Sequence, residues 1–131
     1  MPRVFLSYGL RDKSSAASMR QALKAQKLSV FDSVRDVKAT DNWRDAIQGA
    51  IRASDLVVVV TASADGADSG LAAYEIGIAD ALGKPVVILA SHNFALSDLP
   101  ADLSSYRVLS FDPLDVDAAA RDVARQFLAS A

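Results

Sequence analysis

The sequence has no cysteine and a single histidine, His92, in 131 residues. That excludes a disulfide framework, a thiolate nucleophile and a zinc–thiolate centre, and one imidazole cannot build a multi-histidine metal site. No sign of charge dominates either: 14 Lys and Arg stand against 16 Asp and Glu, a formal net charge of −2. So balanced a chain offers no general attraction to phosphate backbones, and nucleic acid is not an expected partner. Long hydrophobic runs are also missing. The strongest, residues 56–60 and 85–90, fall far short of the ~20 apolar residues that span a bilayer, and the N-terminus lacks a signal-like apolar region. A cytoplasmic protein with no membrane partner is the expectation.

What is present suits a folded protein: 51% of residues are hydrophobic and 23% charged, far from a disordered composition. The length fits one domain over 1–131. Residues 3–7 read as a buried strand, and 14–26 as a helix. Its apolar side is Ala16, Met19 and Leu23, with Lys13, Arg20, Gln21 and Lys24 on the wet side. A second strand, 28–31, ends at Asp32 and opens a polar loop, 33–42. Asp41 is placed to cap a helix whose Trp43, Ile47, Ala50 and Ile51 form one apolar face.

The β-branched run 56–61 does not alternate, which suits a strand covered on both faces of a parallel sheet. After a loop over 62–70, Ser69 can cap a helix reaching Leu82, and Gly83 can end it. Further strands over 85–90 and 106–111 and a closing helix over 114–128 complete five strand-helix units, the unit within 91–105 being short or irregular. Such alternation predicts an α/β fold: a single doubly wound, flavodoxin-like five-stranded parallel sheet with helices on both faces. In such sheets ligands gather beyond the carboxyl ends of the strands. The loops after the strands are therefore where to search.

One residue breaks the pattern. On a wheel at about 100° per residue with Leu71 at zero, Leu82, Ile78 and Ala79 lie within an apolar arc, and Glu75, near about 40°, lies in the middle of it. Asp80, near about 180°, stays in water. A carboxylate turned toward a core must find a partner, shift its pKa or face a cavity. Glu75 is either a satisfied structural carboxylate or a charge aimed into the strand-end crevice. Its place in the first two turns of its helix fits the second role.

The chain resembles the TIR (Toll/interleukin-1 receptor) domain family. Phe5-Leu6-Ser7-Tyr8 with Asp12 resembles the family's opening strand, and Phe31-Asp32 the end of its second strand. Val37-Lys38-Ala39-Thr40-Asp41-Asn42-Trp43 resembles the loop and helix start that follow. Ser69, Glu75 and Ala79, then Gly83-Lys84-Pro85-Val86, stand where the family has its glutamate helix and next strand. Two positions depart: Thr40 where many members have glycine, and Leu71 where many have tryptophan.

The resemblance implies an enzyme of the bacterial NAD-cleaving type. NAD would be a substrate and no cofactor would be needed, and the glutamate at Glu75 would favour an oxocarbenium-like ribose while nicotinamide leaves. Nicotinamide and ADP-ribose, or a cyclic or transferred ADP-ribose signal, would result, in defence or stress signalling. Self-association through TIR–TIR contacts and a sensor or effector partner are also implied.

Around Glu75, the expected substrate-binding residues are Ser7, Tyr8, Arg11, Asp32, Trp43 and Leu71. Tyr8 lines the crevice or packs at the sheet edge. Arg11 meets a pyrophosphate or stays in solvent, and Asp32 meets a ribose hydroxyl or forms a turn. Trp43 packs on the core or presents an edge to substrate. Leu71, one helical turn before Glu75, would form an apolar wall.

Two other readings stand beside this one. Asp68-Ser69-Gly70, Glu75-Ile76-Gly77-Ile78-Ala79 and Gly83-Lys84-Pro85 also resemble nucleoside 2-deoxyribosyltransferases, although one residue too many separates Gly70 from Glu75. A non-catalytic TIR scaffold is the third.

Overall fold

A computed structural model describes residues 2–9, 12–37, 42–61, 70–92 and 106–128, with backbone alone at 70–72. Strand β1 (Arg3–Tyr8) leads into helix α1 (Lys13–Ala25), β2 (Ser29–Asp32), α2 (Trp43–Ala53) and β3 (Leu56–Thr61). Then come α3 (Gly70–Ala81), β4 (Val86–Ser91), β5 (Arg107–Phe111) and α4 (Val116–Val123), which continues as a π-helical turn, Ala124–Leu128. All neighbouring strands pair in parallel, in the order β2-β1-β3-β4-β5. This is the flavodoxin-like order that the alternation of elements predicts. The chain leaves β1 toward β2 on one side and returns to β3 on the other. The strand order therefore reverses at β1 and β3. Residues 93–105, where a further short helix is expected, lie outside the described residues.

Parallel strands buried on both faces need apolar side chains pointing both ways, and β1, β3 and β4 supply them. One face carries Val4, Leu6, Tyr8, Val58, Val60 and Leu89 against Met19 and Leu23 of α1 and Ala120 and Val123 of α4. The other carries Phe5, Val57, Val59 and Ile88 against Ile47 and Ile51 of α2 and Ile76 and Ala79 of α3. Each fully buried aliphatic side chain contributes about 1.5–3 kcal/mol. The two layers together hold the sheet between its helices.

At the amino edge of the sheet, backbone and side-chain bonds tie the strand starts together. Asp55 N donates to Arg3 O at 2.7 Å and Arg3 N to Asp55 Oδ2 at 2.8 Å, while Ser29 N donates to Pro2 O at 2.9 Å and Val57 N to Pro85 O at 3.0 Å.

Helix ends follow local chemistry, with some shifts from expectation. Asn42 caps α2, its side chain accepting from Asp45 N at 3.2 Å; Asp41, the expected cap, and Ser69, expected to cap α3, lie outside the described residues. The closing helix begins at Val116 rather than Leu114, because Asp115 caps it and Leu114 sits in a turn, 95% exposed. Gly83 ends α3 with φ +68°, and Lys84 N donates to Ala79 O while Gly83 N donates to Asp80 O. These two bonds form a Schellman cap, which needs a left-handed residue.

Several side chains sit elsewhere than their periodicity predicts. Arg20 does not belong to the wet side of α1 but is 7% exposed. It lies only about 40° from Ala16 on the wheel, at the flank of the apolar arc. Trp43, in the first turn of α2, is 43% exposed. The buried arc of α3 is turned toward Ile76 and Ala79, leaving Ile78 and Leu82 half-buried. Glu75 lies at the side of that arc rather than its middle, yet is fully buried. Among the described residues no helix is long and apolar enough to cross a membrane.

Gly83 and Gly77 make opposite predictions for one substitution. Neither has an atom within 4 Å of a Cβ built on it. Gly83→Ala pays only for its left-handed backbone, about 1–2 kcal/mol of lost stability. Gly77→Ala, on the exposed side of α3, gains about 0.5–1 kcal/mol. Urea denaturation of the two variants beside the parent protein checks both signs.

Candidate functional site

Side chains alternate along β1, so Ser7 shares a face with Phe5, toward α2 and α3, and Tyr8 shares one with Leu6, toward α1. Both residues stand at the carboxyl end of a central strand, next to the reversal of strand order. Ser7 is fully buried, and a buried hydroxyl needs a partner. Its Oγ donates to Glu75 Oε1 at 2.5 Å, across 68 residues of sequence. That length is in the range of charge-assisted O–H···O⁻ bonds.

Glu75 has no exposed surface, and its second oxygen, Oε2, is buried without a hydrogen-bond partner among the described residues. A buried oxygen without a partner is uncommon and calls for a physical account. Ser33, also buried, lies near enough to favour the charged form of Glu75, but its Oγ makes no hydrogen bond of normal geometry. Burial is the largest influence on Glu75 and raises its pKa to about 7; the hydroxyls of Ser7 and Ser33 oppose that rise, and the negative charge of Asp32 adds to it. Near neutrality this carboxyl is thus poised between its two forms.

Asp32 belongs to the other face. Its Oδ1 accepts from the Tyr8 hydroxyl at 2.7 Å and from the amides of Val34 and Arg35 at 3.0 and 3.2 Å, the hydrogen bonds of a turn. Desolvation, then the bond to Asp32, raises the Tyr8 pKa, so this phenol stays neutral. Ser7 and Glu75 therefore come together on one side of β1, and Tyr8 and Asp32 on the other. Trp43 stacks on Tyr74, the residue before Glu75, with ring centroids 5.4 Å apart and an interplanar angle of 28°. Arg11 lies outside the described residues, as does the side chain of Leu71. His92 is exposed; its backbone N donates to Phe111 O at 2.8 Å, with ring Nδ1 3.2 Å from the same oxygen.

Ser33, Tyr74 and Arg20 are the neighbours that periodicity alone does not single out. Ser33 had a signal: two residues after Phe31, it falls on the same side as Phe31 if the strand alternation runs on. Tyr74 and Arg20 had none beyond their positions on a wheel.

A family model described as TIR domain matches residues 4–125. Solved structures share the fold at low identity. A TIR domain of a Toll-related receptor from Hydra magnipapillata is 16% identical with a TM-score of 0.67, over 97% of this chain and 92% of that one. A 2-deoxyribosyltransferase from Bacillus psychrosaccharolyticus is 18% identical with a TM-score of 0.64, over 90% and 95%. A CMP N-glycosidase from Clostridium botulinum is 18% identical with a TM-score of 0.61, over 94% and 98%. No curated protein matches the sequence at a significant level.

The buried carboxyl makes stability depend on pH. Glu75 is raised from 4.5 to about 7 on folding, so its neutral form stabilises the folded state. That contribution is complete below about 4.5 and is lost as pH rises through about 7. Glu75→Gln, isosteric and uncharged, should match the parent near the acid end of this window. At pH ~8 it should be more stable by on the order of 3 kcal/mol. Chemical denaturation at the two pH values measures the difference.

Proposed function

The chain belongs to the TIR domain family, and we propose that it is an NAD glycohydrolase whose catalytic residue is Glu75. The observation that carries this reading is the Glu75 carboxyl itself. It is held by Ser7 at the reversal of strand order, and it keeps one buried oxygen without a partner among the described residues.

The chemistry asks little else of the protein. The bond between the ribose anomeric carbon and the nicotinamide nitrogen breaks, its electron pair neutralising the positive ring as nicotinamide leaves. The sugar is left as an oxocarbenium ion, and a fixed negative charge beside it lowers the barrier because it need not reorganise. Ser7 fixes Oε1, and Oε2 accepts from a ribose hydroxyl. Water then attacks the anomeric carbon and loses its proton to the carboxylate or to solvent, giving ADP-ribose. Attack by a nitrogen of the adenine instead gives a cyclic product. Neither step calls for a thiolate or an imidazole, which the chain's composition makes scarce.

Glu75 is closed off in this conformation and lines neither the cleft beside Tyr8 nor the one beside Trp43. Substrate entry therefore requires rearrangement. Contacts between copies are the driver proposed here, so that turnover per molecule rises with protein concentration. Trp43, 43% exposed, stacked on the half-buried Tyr74 that precedes Glu75 in sequence, offers an aromatic surface for the base of the substrate.

A second reading is favoured by the match, over nearly whole chains, to a CMP N-glycosidase and a 2-deoxyribosyltransferase. It keeps the reaction class, scission at an anomeric carbon, and exchanges the dinucleotide for a nucleotide or nucleoside. A TIR scaffold without chemistry is the reading that remains if neither substrate is cut.

Incubation across protein concentration with NAD, CMP and deoxynucleosides in turn, followed by chromatography, separates the readings. Nicotinamide release that falls by at least about 100-fold in Glu75→Gln is the expected result. Base release from CMP or a deoxynucleoside with NAD intact would favour the second reading, and oligomers that leave all three untouched the scaffold.

The pH profile adds a further expectation. Because kcat/KM reports the free enzyme, it should climb with pH through about 7 and level off as Glu75 ionises. Ser7→Ala removes a hydrogen bond that favours the ionised form, so it should move this midpoint upward.

A further inference from the structure

Across β1 from Glu75, on the α1 face of the sheet, lies a cleft of about 310 Å³. Its polar lining is Tyr8, Lys13, Arg20, Asp32 and Arg35, and Ala17, between the helix cations, and Val34 are its apolar lining. Three positive side chains thus line the cleft with the carboxylate of Asp32, while that of Asp36 stands just behind, accepting from Asp32 N at 2.8 Å. Lys13, Ala17 and Arg20 fall at i, i+4 and i+7 of α1, a single stripe. The small Ala17 leaves room between the two long side chains.

The decisive observation is Arg20. It is 7% exposed, and its Nε is buried with no hydrogen-bond acceptor among the described residues. Asp32 Oδ2 stands 4.0 Å away, too far for a hydrogen bond. The other oxygen of Asp32 already accepts from Tyr8 and from two backbone amides. A guanidinium keeps its charge at physiological pH and has donors only. Burying one of its N–H groups without an acceptor costs free energy, which an incoming anion would recover. Lys13 and Arg35, both exposed, stand at the mouth where such an anion would enter.

We propose that this cleft binds a phosphate or pyrophosphate group, with Arg20 as its buried donor and Lys13 and Arg35 as its outer cations. Phosphate oxygens accept from several donors at once, and arginine matches them with two parallel N–H groups. The site faces away from Glu75, because Ser7 and Tyr8 leave β1 on opposite sides. Its ligand is either the pyrophosphate of the same dinucleotide or a separate phosphorylated small molecule. The inference goes beyond the glycohydrolase reading and does not rest on it.

Isothermal titration of the whole chain at fixed ionic strength, with inorganic pyrophosphate as probe, tests the site. Pyrophosphate should bind the parent and Glu75→Gln equally. Binding should be weaker by at least about ten-fold in Lys13→Ala and in Arg35→Ala. Ala17→Leu, an exposed helix position, fills the gap without removing charge and should also weaken binding.

ADP-ribose is the second probe. If it competes with pyrophosphate and also loses affinity in Glu75→Gln, the phosphate belongs to the dinucleotide. If it binds alongside pyrophosphate without competition, the cleft takes a separate phosphorylated molecule. No pyrophosphate binding to the parent at millimolar concentration, or binding indifferent to the Lys13, Arg35 and Ala17 variants, would overturn the proposal. Because NAD turnover is not read, a failed glycohydrolase assay leaves this outcome unaffected.

Discussion

The two-residue period of β1 governs how polar chemistry is distributed at the end of this sheet. A central strand has helices on both sides, so consecutive residues at its end face separate layers. Ser7 points toward α3 and meets Glu75; Tyr8 points toward α1 and meets Asp32. Two buried polar clusters are thereby kept apart by a single strand's thickness. They still sense each other through charge, since Asp32 raises the pKa of Glu75 from across the strand.

Glu75 is held at a cost to the fold. Taking a carboxylate out of water is unfavourable, and one hydrogen bond from Ser7 with a nearby Ser33 only partly offsets it. The apolar layers on both faces of the sheet carry that deficit. A carboxyl poised near neutrality, fixed by a helix and freed from competing solvent, is the arrangement that stabilises a cation forming beside it. Stability and the proposed chemistry thus place opposite demands on one side chain.

Much of this was legible in the sequence because the signals are one-dimensional. The β3 run, residues 56–61, appears as a strand end to end, and the alternation of strands and helices predicts the parallel sheet. Glu75 was marked by a charge on an apolar stripe. Other features depend on what lies opposite a helix, which periodicity does not carry. Arg20, at the flank of an apolar arc, is drawn in beside Asp32 instead of standing in water. Trp43 has the right angle for the core, but a wheel gives no height along the axis, and the first turn of α2 leaves it exposed. The Ser7–Glu75 contact joins elements 68 residues apart, beyond any local pattern.

The amino edge of the sheet has a different character from the carboxyl edge. There the strand starts are laced by the bonds among Pro2, Arg3, Ser29, Asp55, Val57 and Pro85, with little polar burial to maintain. The sheet is bound like a book along its spine. The register set at that binding runs on to the far margin, where Tyr8 still pairs with Val60 and Thr61 with Ala90, so the buried carboxyl stands against strands already aligned from their other end.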